Sequence, residues 1–379
     1  MRTTRRTYAF KNSFKRRAAG LFDAMGGLFF RLDRPLPPPS EIKKLLIMRL
    51  DHLGDVVNVL PLIQQINLLN PKPFLAVCVS SLGAQLLRDT PGIDQWIIFD
   101  APWFSRRSPS SAGLSGYRDL IHQIRAGRFD MSFELRGDLR HHVLLWMSKI
   151  QHRIGYGSTG GAFLLTHELE WRPNTPPTES NLTFLTAFGG PPTATAVASL
   201  TWTIREQELQ TMRKAVPDKD FLLFHIDAGT QAKKWPIDRY RPLLNQAQQR
   251  GLKPVLVGSD AALARDHLPQ QGNAEIIDML GRTTLPQLIA LISLSRGIVS
   301  TDSGPAHIAA AMQKPVLILW SGTSDPAVWK PRGSNIFHVQ EHVSCEYCGN
   351  EICPLPEQIC MTRLTPDKVL PVLEKVLSS

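Results

Sequence analysis

Residues 43–56 read KKLLIMRLDHLGDV, a short apolar run that ends in a charged turn just before a helical pattern begins. The run at 43–49 predicts a buried strand, and the apolar positions of 55–69 recur at the three- and four-residue steps of a helix. Both halves of the chain repeat this alternation of short apolar runs and helical segments. Such alternation predicts parallel sheets with helices on both faces.

The same alternation continues to the end of the chain. In the first half, further strands are expected at 74–79, 95–99 and 131–134. In the second half, we expect strands at 221–225, 254–257, 297–300 and 315–320, and helices at 237–250, 285–294, 306–312 and 365–377. The segment 189–203 is rich in Gly, Pro, Thr and Ala and predicts a linker. We therefore expect one domain at 41–195 and another at 204–379, preceded by an arm at 1–40.

Length and composition narrow the class of protein. A chain of 379 residues has the size of two ordinary domains, and its five cysteines are too few for a disulfide-built scaffold. The formal net charge is +10, but residues 1–40 hold nine Lys or Arg and two Asp, which supply +7 of it. The rest of the chain is nearly neutral, which disfavours a nucleic-acid-binding protein. No apolar run is long enough to predict a transmembrane helix.

The N-terminal arm has the pattern of a basic amphipathic helix. Its apolar residues recur at helical spacing and are Phe14, Ala18, Leu21, Phe22, Met25, Leu28, Phe29 and Leu32. The basic residues near its start are Arg5, Arg6, Lys11, Lys15, Arg16 and Arg17. One interpretation is a helix that binds an anionic membrane surface through residues 1–34. The alternatives are a helix packed on the protein's own surface and a flexible extension.

The turn after the first predicted strand carries a candidate catalytic residue. Gly54 allows a tight turn and the close approach of a ligand there, and Asp55 opens the predicted helix. A carboxylate at this place either caps the helix or acts as a general base toward an attacking hydroxyl. Asp51 and His52 are candidates for orienting the same turn or binding substrate.

A turn in the second half has the composition of a diphosphate site. Residues 227–236 read DAGTQAKKWP and directly follow a predicted strand. Small residues expose the backbone N–H groups, the Thr230 hydroxyl can donate a hydrogen bond, and Lys233 or Lys234 can neutralise charge. The alternative is an ordinary solvated basic loop.

A third turn, at 300–307, reads STDSGPAH and leads from a strand into a helix. The N-terminus of a helix attracts phosphate through its free N–H groups and its dipole. The candidate binding residues are Asp302, Ser303, Gly304 and His307. An isolated histidine would more often belong to the core, but these neighbours favour a binding site.

Four of the five cysteines lie close together, at Cys345, Cys348, Cys353 and Cys360. Their spacing contains only one C-x2-C pair, whereas structural zinc sites commonly have two paired knuckles. Reduced thiols without a metal are therefore the favoured interpretation, structural zinc is the alternative, and no catalytic metal is expected.

Three common enzyme signatures are missing from the sequence. The first predicted strand is not followed by G-x-G-x-x-G, and neither G-x-x-x-x-G-K-[ST] nor G-x-S-x-G occurs. These absences disfavour a dinucleotide-dependent dehydrogenase, a P-loop NTPase and an α/β-hydrolase.

Several motifs together resemble glycosyltransferase family 9, the lipopolysaccharide heptosyltransferases. They are IKKLLIMRLDHLGDVVNVLP at 42–61, FELRGDLR at 133–140, HRIGYG at 152–157, AGTQAKKWP at 228–236, GRTTLPQLIALIS at 281–293 and STDSGPAHIAAAM at 300–312. The cysteine-rich tail at 345–361 is also similar to tails of that family, whereas the arm lies outside the resemblance. The order and spacing of the motifs make the resemblance more specific than any one of them.

The resemblance implies a GT-B fold, in which two Rossmann-like, doubly wound α/β domains face a cleft. It implies a metal-independent, inverting transfer from a nucleotide sugar, typically ADP-heptose, to a lipid-linked lipopolysaccharide core acceptor. By motif, Asp55 matches the catalytic base, and Gly54 and Arg136 fall on the acceptor side. The residues that match donor-binding positions are Thr230, Lys233, Asp302, Ser303, Gly304 and His307, with Lys234 a second candidate for the diphosphate.

The implied partners are a nucleotide sugar and a lipid-linked glycan, with no nucleic acid. The implied location is the cytoplasm or the cytoplasmic face of the inner membrane. Three alternatives stay open: another nucleotide-sugar transferase of surface glycan synthesis, a GT-B-like nucleotide-sugar epimerase, and a catalytically inactive binding protein. An epimerase needs no acceptor, so turnover of the donor alone would favour it.

Overall fold

A computed structural model describes residues 7–10, 12–30, 34–104, 113–190, 203–216, 220–259 and 276–378. By its internal contacts the chain divides into two units, Met1–Ala198 and Ser199–Ser379. Each unit contains one six-stranded sheet. Most of the linker expected at 189–203 lies outside the described residues.

The N-terminal unit is built on strands β1 to β6, which are Lys44–Arg49, Phe74–Val79, Gln95–Ile98, Met131–Glu134, His152–Tyr156 and His167–Leu169. Helices α1 to α7 are Ser13–Phe29, Leu53–Val57, Leu60–Asn67, Ser81–Leu87, Leu114–Gly127, Leu139–Met147 and Pro177–Leu182. The strand order is β3-β2-β1-β4-β5-β6, and all neighbours are parallel. The loops that leave β1, β4 and β5 therefore start from one edge of the sheet.

The C-terminal unit repeats this plan. Strands β7 to β12 are Phe221–His225, Lys253–Val257, Ile277–Asp278, Ile298–Thr301, Val316–Trp320 and Ile336–Gln340. Helices α8 to α14 are Glu206–Ala215, Tyr240–Gln249, Leu285–Leu294, Gly304–Ala311, Pro326–Trp329, Ile359–Thr362 and Pro366–Leu377. The order β12-β11-β10-β7-β8-β9 is that of the first sheet, and its pairs are also parallel. Both orders are those of Rossmann-like doubly wound sheets, which confirms the predicted fold class.

The strands that were predicted agree with the structure to within one residue at each end, whereas β5, β6, β9 and β12 were not predicted. Three helices differ. The helix expected at 306–312 begins two residues earlier, at Gly304. The segment 55–69 forms two helices, α2 and α3, instead of one. The chain breaks just before Pro61, which lies in the first turn of α3, because a proline is accommodated at a helix start and not in its interior. The segment 237–250 begins as a 3₁₀ turn, Ile237–Arg239, before α9.

The arm forms α1, whose large apolar side chains stay largely exposed although the helix packs on the N-terminal unit. Ala19, Asp23 and Gly26 are the buried positions. Its large apolar side chains are 46–81% exposed and are Phe14, Leu21, Phe22, Met25, Leu28 and Phe29. Lys15, Arg16 and Arg17 are also exposed. Arg5, Arg6, Lys11 and Leu32 of the predicted pattern lie outside the described residues.

The anchoring points of α1 lie at the carboxyl edge of the N-terminal sheet. Gly161, in the loop that follows β5, donates its N–H to Asp23 at 2.6 Å. Phe163 of the same loop packs against Phe22, with ring centroids 5.2 Å apart. The arm is therefore attached at the edge from which the loops after β1 and β4 also leave. Within the described parts of the chain, no helix is both long and apolar enough to cross a membrane.

Candidate functional site

Asp55 lies in the first turn of α2, just past the carboxyl end of β1. The N-cap position belongs to His52, whose side chain makes no capping hydrogen bond, so the capping alternative for Asp55 is wrong. Gly54 also lies inside α2, and the turn expected at this glycine is instead made by the residues before Leu53. The Asp55 side chain is 12% exposed, and its Oδ1 lies 2.9 Å from Nη2 of Arg49.

Arg49 is the last residue of β1 and the centre of a buried charge network. Its Nε lies 2.7 Å from Asp51 Oδ1, and its Nη1 donates to the Leu135 carbonyl at 2.8 Å. The second oxygen of Asp51 lies 2.6 Å from Nη1 of Arg136. Burial would lower the pKa of Arg49, but Asp51 and Asp55 raise it above its ordinary value. Burial would raise the pKa of Asp51, but Arg49 and Arg136 hold it below its usual range.

A second buried acid, Glu134, ends the neighbouring strand β4. Its carboxylate accepts the N–H of Gly137 at 2.5 Å and lies 2.8 Å from Nδ1 of His141 and 3.3 Å from Nε2 of His142. Burial would raise the pKa of Glu134, but the hydrogen bonds and charges of the two histidines hold it well below its usual range. The Glu134 carboxylate therefore favours its ionised form, and its contacts with Gly137, His141 and His142 fix the turn from β4 into α6.

Arg136, a predicted acceptor-side residue, stacks on an aromatic ring at this edge. Its guanidinium carbon lies 4.4 Å from the centroid of Phe104. Arg140 stacks in the same way on Trp103, also at 4.4 Å. A stacked guanidinium keeps its edge available to sugar hydroxyls, carboxylates or phosphates. The two aromatic partners were missed in the sequence because nothing in the spacing relates them to the arginines.

In the C-terminal unit, the two lysines of the turn after β7 each have an aspartate partner. Nζ of Lys233 lies 2.6 Å from Asp302 Oδ2, and Nζ of Lys234 lies 3.1 Å from Asp227 Oδ1. The hydroxyl oxygen of Thr230 is buried and has no hydrogen-bond partner among the described residues. A buried hydroxyl without a partner costs free energy, so a ligand at this turn would satisfy it.

Asp227, at the carboxyl end of β7, was not among the predicted site residues. It accepts hydrogen bonds from the Ser259 hydroxyl and, at 2.8 Å, from the Ala228 N–H. Burial would raise its pKa, but these two hydrogen bonds and the charge of Lys234 hold the pKa well below its usual range. Asp227 is therefore ionised and holds the second lysine at the turn.

The turn from β10 into α11 contains Asp302, Ser303 and Gly304, and His307 lies one turn into the helix. Asp302 and His307 are both buried. Ser303 occupies the N-cap position without making a capping hydrogen bond, and its hydroxyl lies 3.3 Å from Nδ1 of His225. Burial lowers the pKa of His225 to about 4, so this histidine is neutral at pH 7. The start of α11 is thus left without a side-chain cap, as expected for an anion-binding helix terminus.

The cysteine-rich segment braces the turn that carries the lysines. Its cysteines form no disulfide among the described residues: Cys345 is exposed, Cys348 and Cys353 are half-buried, and Cys360 is buried. The Gln358 side chain donates to the Ala232 carbonyl at 2.6 Å, and the Ala232 N–H donates to the Glu351 backbone carbonyl at 3.0 Å. In the part of the chain that the structure describes, no group of three or more His, Cys, Asp or Glu side chains could hold a metal ion.

The predicted site residues thus fall into two groups, each at the carboxyl edge of one sheet. The N-terminal group is Gly54, Asp55 and Arg136, and the C-terminal group is Thr230, Lys233, Lys234, Asp302, Ser303, Gly304 and His307. Sequence reasoning missed Arg49, His225 and Asp227 as parts of these groups. These residues could have been found in the sequence, because each is a polar or charged residue at or just after the carboxyl end of an otherwise apolar strand.

The chain is similar to several known proteins. The model of glycosyltransferase family 9 (heptosyltransferase) matches residues 117–358. The lipopolysaccharide core heptosyltransferase OpsX of Haemophilus influenzae is 26% identical over 299 residues, which cover 74% of this chain and 79% of that protein. The solved ADP-heptose lipopolysaccharide heptosyltransferase II of E. coli has a TM-score of 0.70 at 21% identity, covering 88% of this chain and 98% of that one. The solved structure of a family 9 glycosyltransferase of Veillonella parvula has a TM-score of 0.74 at 20% identity, and the match covers 89% of this chain and 97% of that one.

Proposed function

The chain belongs to glycosyltransferase family 9, the heptosyltransferase family, and from this premise we propose that it transfers heptose from ADP-heptose to a lipid-linked lipopolysaccharide core acceptor with inversion. The family and the transferase class are those predicted from the motifs. The proposed mechanism rests on one observation: Oδ1 of the Asp55 carboxylate is ion-paired to Arg49. The heptosyltransferases among its relatives support the sugar and the acceptor class.

Asp55 is the proposed general base. With Oδ1 held by Arg49, Oδ2 is the oxygen that accepts the proton of the acceptor hydroxyl. As that proton leaves, the acceptor oxygen bonds to the anomeric carbon, and the bond from this carbon to the diphosphate oxygen breaks. ADP departs with the electron pair of the broken bond. A single displacement from the opposite face inverts the configuration of the sugar.

The leaving diphosphate is stabilised in this proposal by the C-terminal group. An ammonium has three N–H donors, so Lys233 and Lys234 can keep their aspartate partners and still donate to phosphate oxygens. The unpartnered Thr230 hydroxyl and the uncapped start of α11 add neutral donors. These groups supply the positive potential that the departing charge requires, and the proposed mechanism uses no metal ion.

Calorimetric titration with ADP, UDP, GDP and CMP, without added metal, tests the donor part of the proposal. We expect selective binding of ADP, weakened at least tenfold in Lys233→Ala, which loses a charge-assisted contact. Selective binding of another nucleotide would discard ADP-heptose but leave the family intact. An unchanged ADP affinity in Lys233→Ala would reassign the diphosphate contact, with Lys234 as the next candidate.

We also propose that the enzyme works at an anionic membrane surface, with α1 as the contact. Six large apolar side chains of this helix are exposed, and three basic residues lie on its first turns. A helix that lies in a bilayer interface has this combination of apolar and basic faces. Because Asp23 fixes α1 at the edge that carries Asp55, membrane contact would bring a lipid-linked acceptor to the base.

A vesicle-binding experiment tests the role of α1. The double substitution Leu28→Ser with Phe29→Ser removes two exposed apolar side chains of the helix, and Leu68→Ser with Ile352→Ser is the control, since it removes two of similar exposure elsewhere. We expect only the first variant to lose binding to vesicles that contain phosphatidylglycerol, by about tenfold or more, from the lost apolar burial. Equal binding of the two variants would contradict the membrane role of α1.

A further inference from the structure

Each of the three guanidinium nitrogens of Arg49 has a close polar neighbour. Nε lies against Asp51, Nη1 donates to the Leu135 carbonyl, and Nη2 lies against Asp55. The side chain is only 7% exposed. The contact at Nε is an ion pair without hydrogen-bond geometry among the described residues, whereas the contacts at Nη1 and Nη2 orient the planar fork, and the fork in turn orients the groups that it contacts. Asp55 is the most exposed of these contacts, because the Asp51 side chain is fully buried.

We infer that Arg49 and Asp51 are positioning residues for the base, in that Arg49 holds Oδ1 of Asp55 so that Oδ2 receives the proton. This inference rests on the proposed function of Asp55. Arg49 does not touch the reacting atoms, and it acts only through the carboxylate that it orients. Misplacing a catalytic group by about 1 Å can cost a hundredfold in rate, which is the scale of the expected effect.

Asp51 has a separate part in this arrangement. An arginine that faced a single carboxylate would stabilise its anion and oppose the transfer of a proton to it. Arg49 instead faces two carboxylates, and Asp51 is itself fixed on its other side by Arg136 at 2.6 Å. The negative charge of Asp51 offsets part of the positive charge of Arg49, so Asp55 is held in place without facing the full effect of that positive charge.

The chain contains a matched control for a purely structural role. Arg153, in β5 of the same sheet, is as buried as Arg49, with 6% exposure for each. It donates from Nε to the Leu164 carbonyl at 2.7 Å and from Nη1 to the Ile150 carbonyl. Its hydrogen-bond partners are backbone carbonyls, whereas Arg49 holds two carboxylates. Arg153→Lys therefore measures the cost of shortening a buried arginine of this sheet without disturbing the base.

The experiment compares steady-state transfer by four variants: Arg49→Lys, Arg153→Lys, Asp55→Asn, and Arg49→Lys combined with Asp55→Asn. We expect both single arginine variants to melt at lower temperature. Only Arg49→Lys should lower kcat, by about ten- to hundredfold, with KM for the donor changed less than twofold. In the Asp55→Asn background, Arg49→Lys should cause no further loss, because the residue acts through Asp55.

Each contrary result has a distinct meaning. A wild-type kcat in Arg49→Lys, an equal loss in Arg153→Lys, or an undiminished penalty in the Asp55→Asn background would overturn the positioning role. Wild-type turnover in Asp55→Asn would instead overturn the proposed base. If Arg49→Lys does not fold, Asp51→Asn decides: a lowered kcat with unchanged KM for the donor supports the inference, and a wild-type kcat contradicts it.

Discussion

The docking of α1 can be tested at two adjacent glycines of the helix. A Cβ on Gly26 would lie 2.3 Å from ring carbons of Phe163, whereas a Cβ on Gly27 would meet nothing within 4 Å. Alanine favours a helix over glycine by about 1 kcal/mol at either position. At Gly26 that gain is opposed by overpacking, which costs about 1–3 kcal/mol. Gly27→Ala should therefore stabilise the docked helix, and Gly26→Ala should weaken its docking by up to about 2 kcal/mol.

Hydrogen exchange of the amides of α1, followed by mass spectrometry, measures this difference. A loss of 1–2 kcal/mol in docking corresponds to roughly five- to thirtyfold faster exchange through the undocked state. We expect this acceleration in Gly26→Ala and equal or slower exchange in Gly27→Ala. Since the exposed apolar face is unchanged, both variants should still bind vesicles. Exchange in Gly26→Ala as slow as in the wild type would refute the docking of α1 through Gly26 and Phe163.

Two further outcomes follow from buried titratable groups. The pKa of His225 is lowered to about 4 by burial, so the unfolded chain binds this proton first, and stability falls as the pH drops from about 6.5 toward 4. At a pH below the pKa of both the unfolded and the folded chain, the full loss in the free energy of unfolding is about 3 kcal/mol. The free energy of unfolding in urea should therefore depend less on pH in His225→Gln than in the wild type. An identical dependence on pH in the two proteins would contradict a neutral, buried His225. Glu134→Gln removes the anion shared by His141 and His142 and should lower the free energy of unfolding by about 3 kcal/mol. A urea midpoint equal to that of the wild type would show that this buried charge does not stabilise the turn.

The strands at the centre of each sheet were predictable from the sequence because each is a short apolar run between polar turns, whereas β5, β6, β9 and β12 were not predicted. The LLIM run of β1 is buried along its whole length, and its bounds were predicted to within one residue. The break between α2 and α3 was missed because the apolar spacing continues across it, although Pro61 carried the signal. The spacing of apolar residues identifies the buried face of a helix, but it does not show where one helix ends and the next begins.

The arm shows what a sequence pattern leaves undetermined. Its apolar face was identified from spacing, but the face that packs is the one with Ala19, Asp23 and Gly26. The hydrogen bond that fixes it joins Asp23 to Gly161, which is 138 residues away. No local pattern relates such positions, so the packing of the arm on the N-terminal unit could be seen only in the tertiary structure.

The candidate site was predictable to a similar degree. Asp55 and Lys233 were found because loops that follow parallel strands collect at one edge, where motifs in the sequence can be placed. The pairing of Asp51 with Arg136 joins residues 85 positions apart and was not predictable. The sequence therefore indicated which side chains lie at each edge, and the structure added the contacts that hold them.

The most direct test of the account is transfer from ADP-heptose to lipid-linked lipopolysaccharide core acceptors by the wild type and Asp55→Asn. The account predicts that the wild type adds a heptose whose anomeric configuration, determined by NMR, is opposite to that in the donor. It predicts a loss of about a hundredfold to ten-thousandfold in Asp55→Asn, with ADP affinity unchanged, because only the base is removed. Retained configuration, wild-type transfer by Asp55→Asn, or donor turnover that needs no acceptor would contradict it.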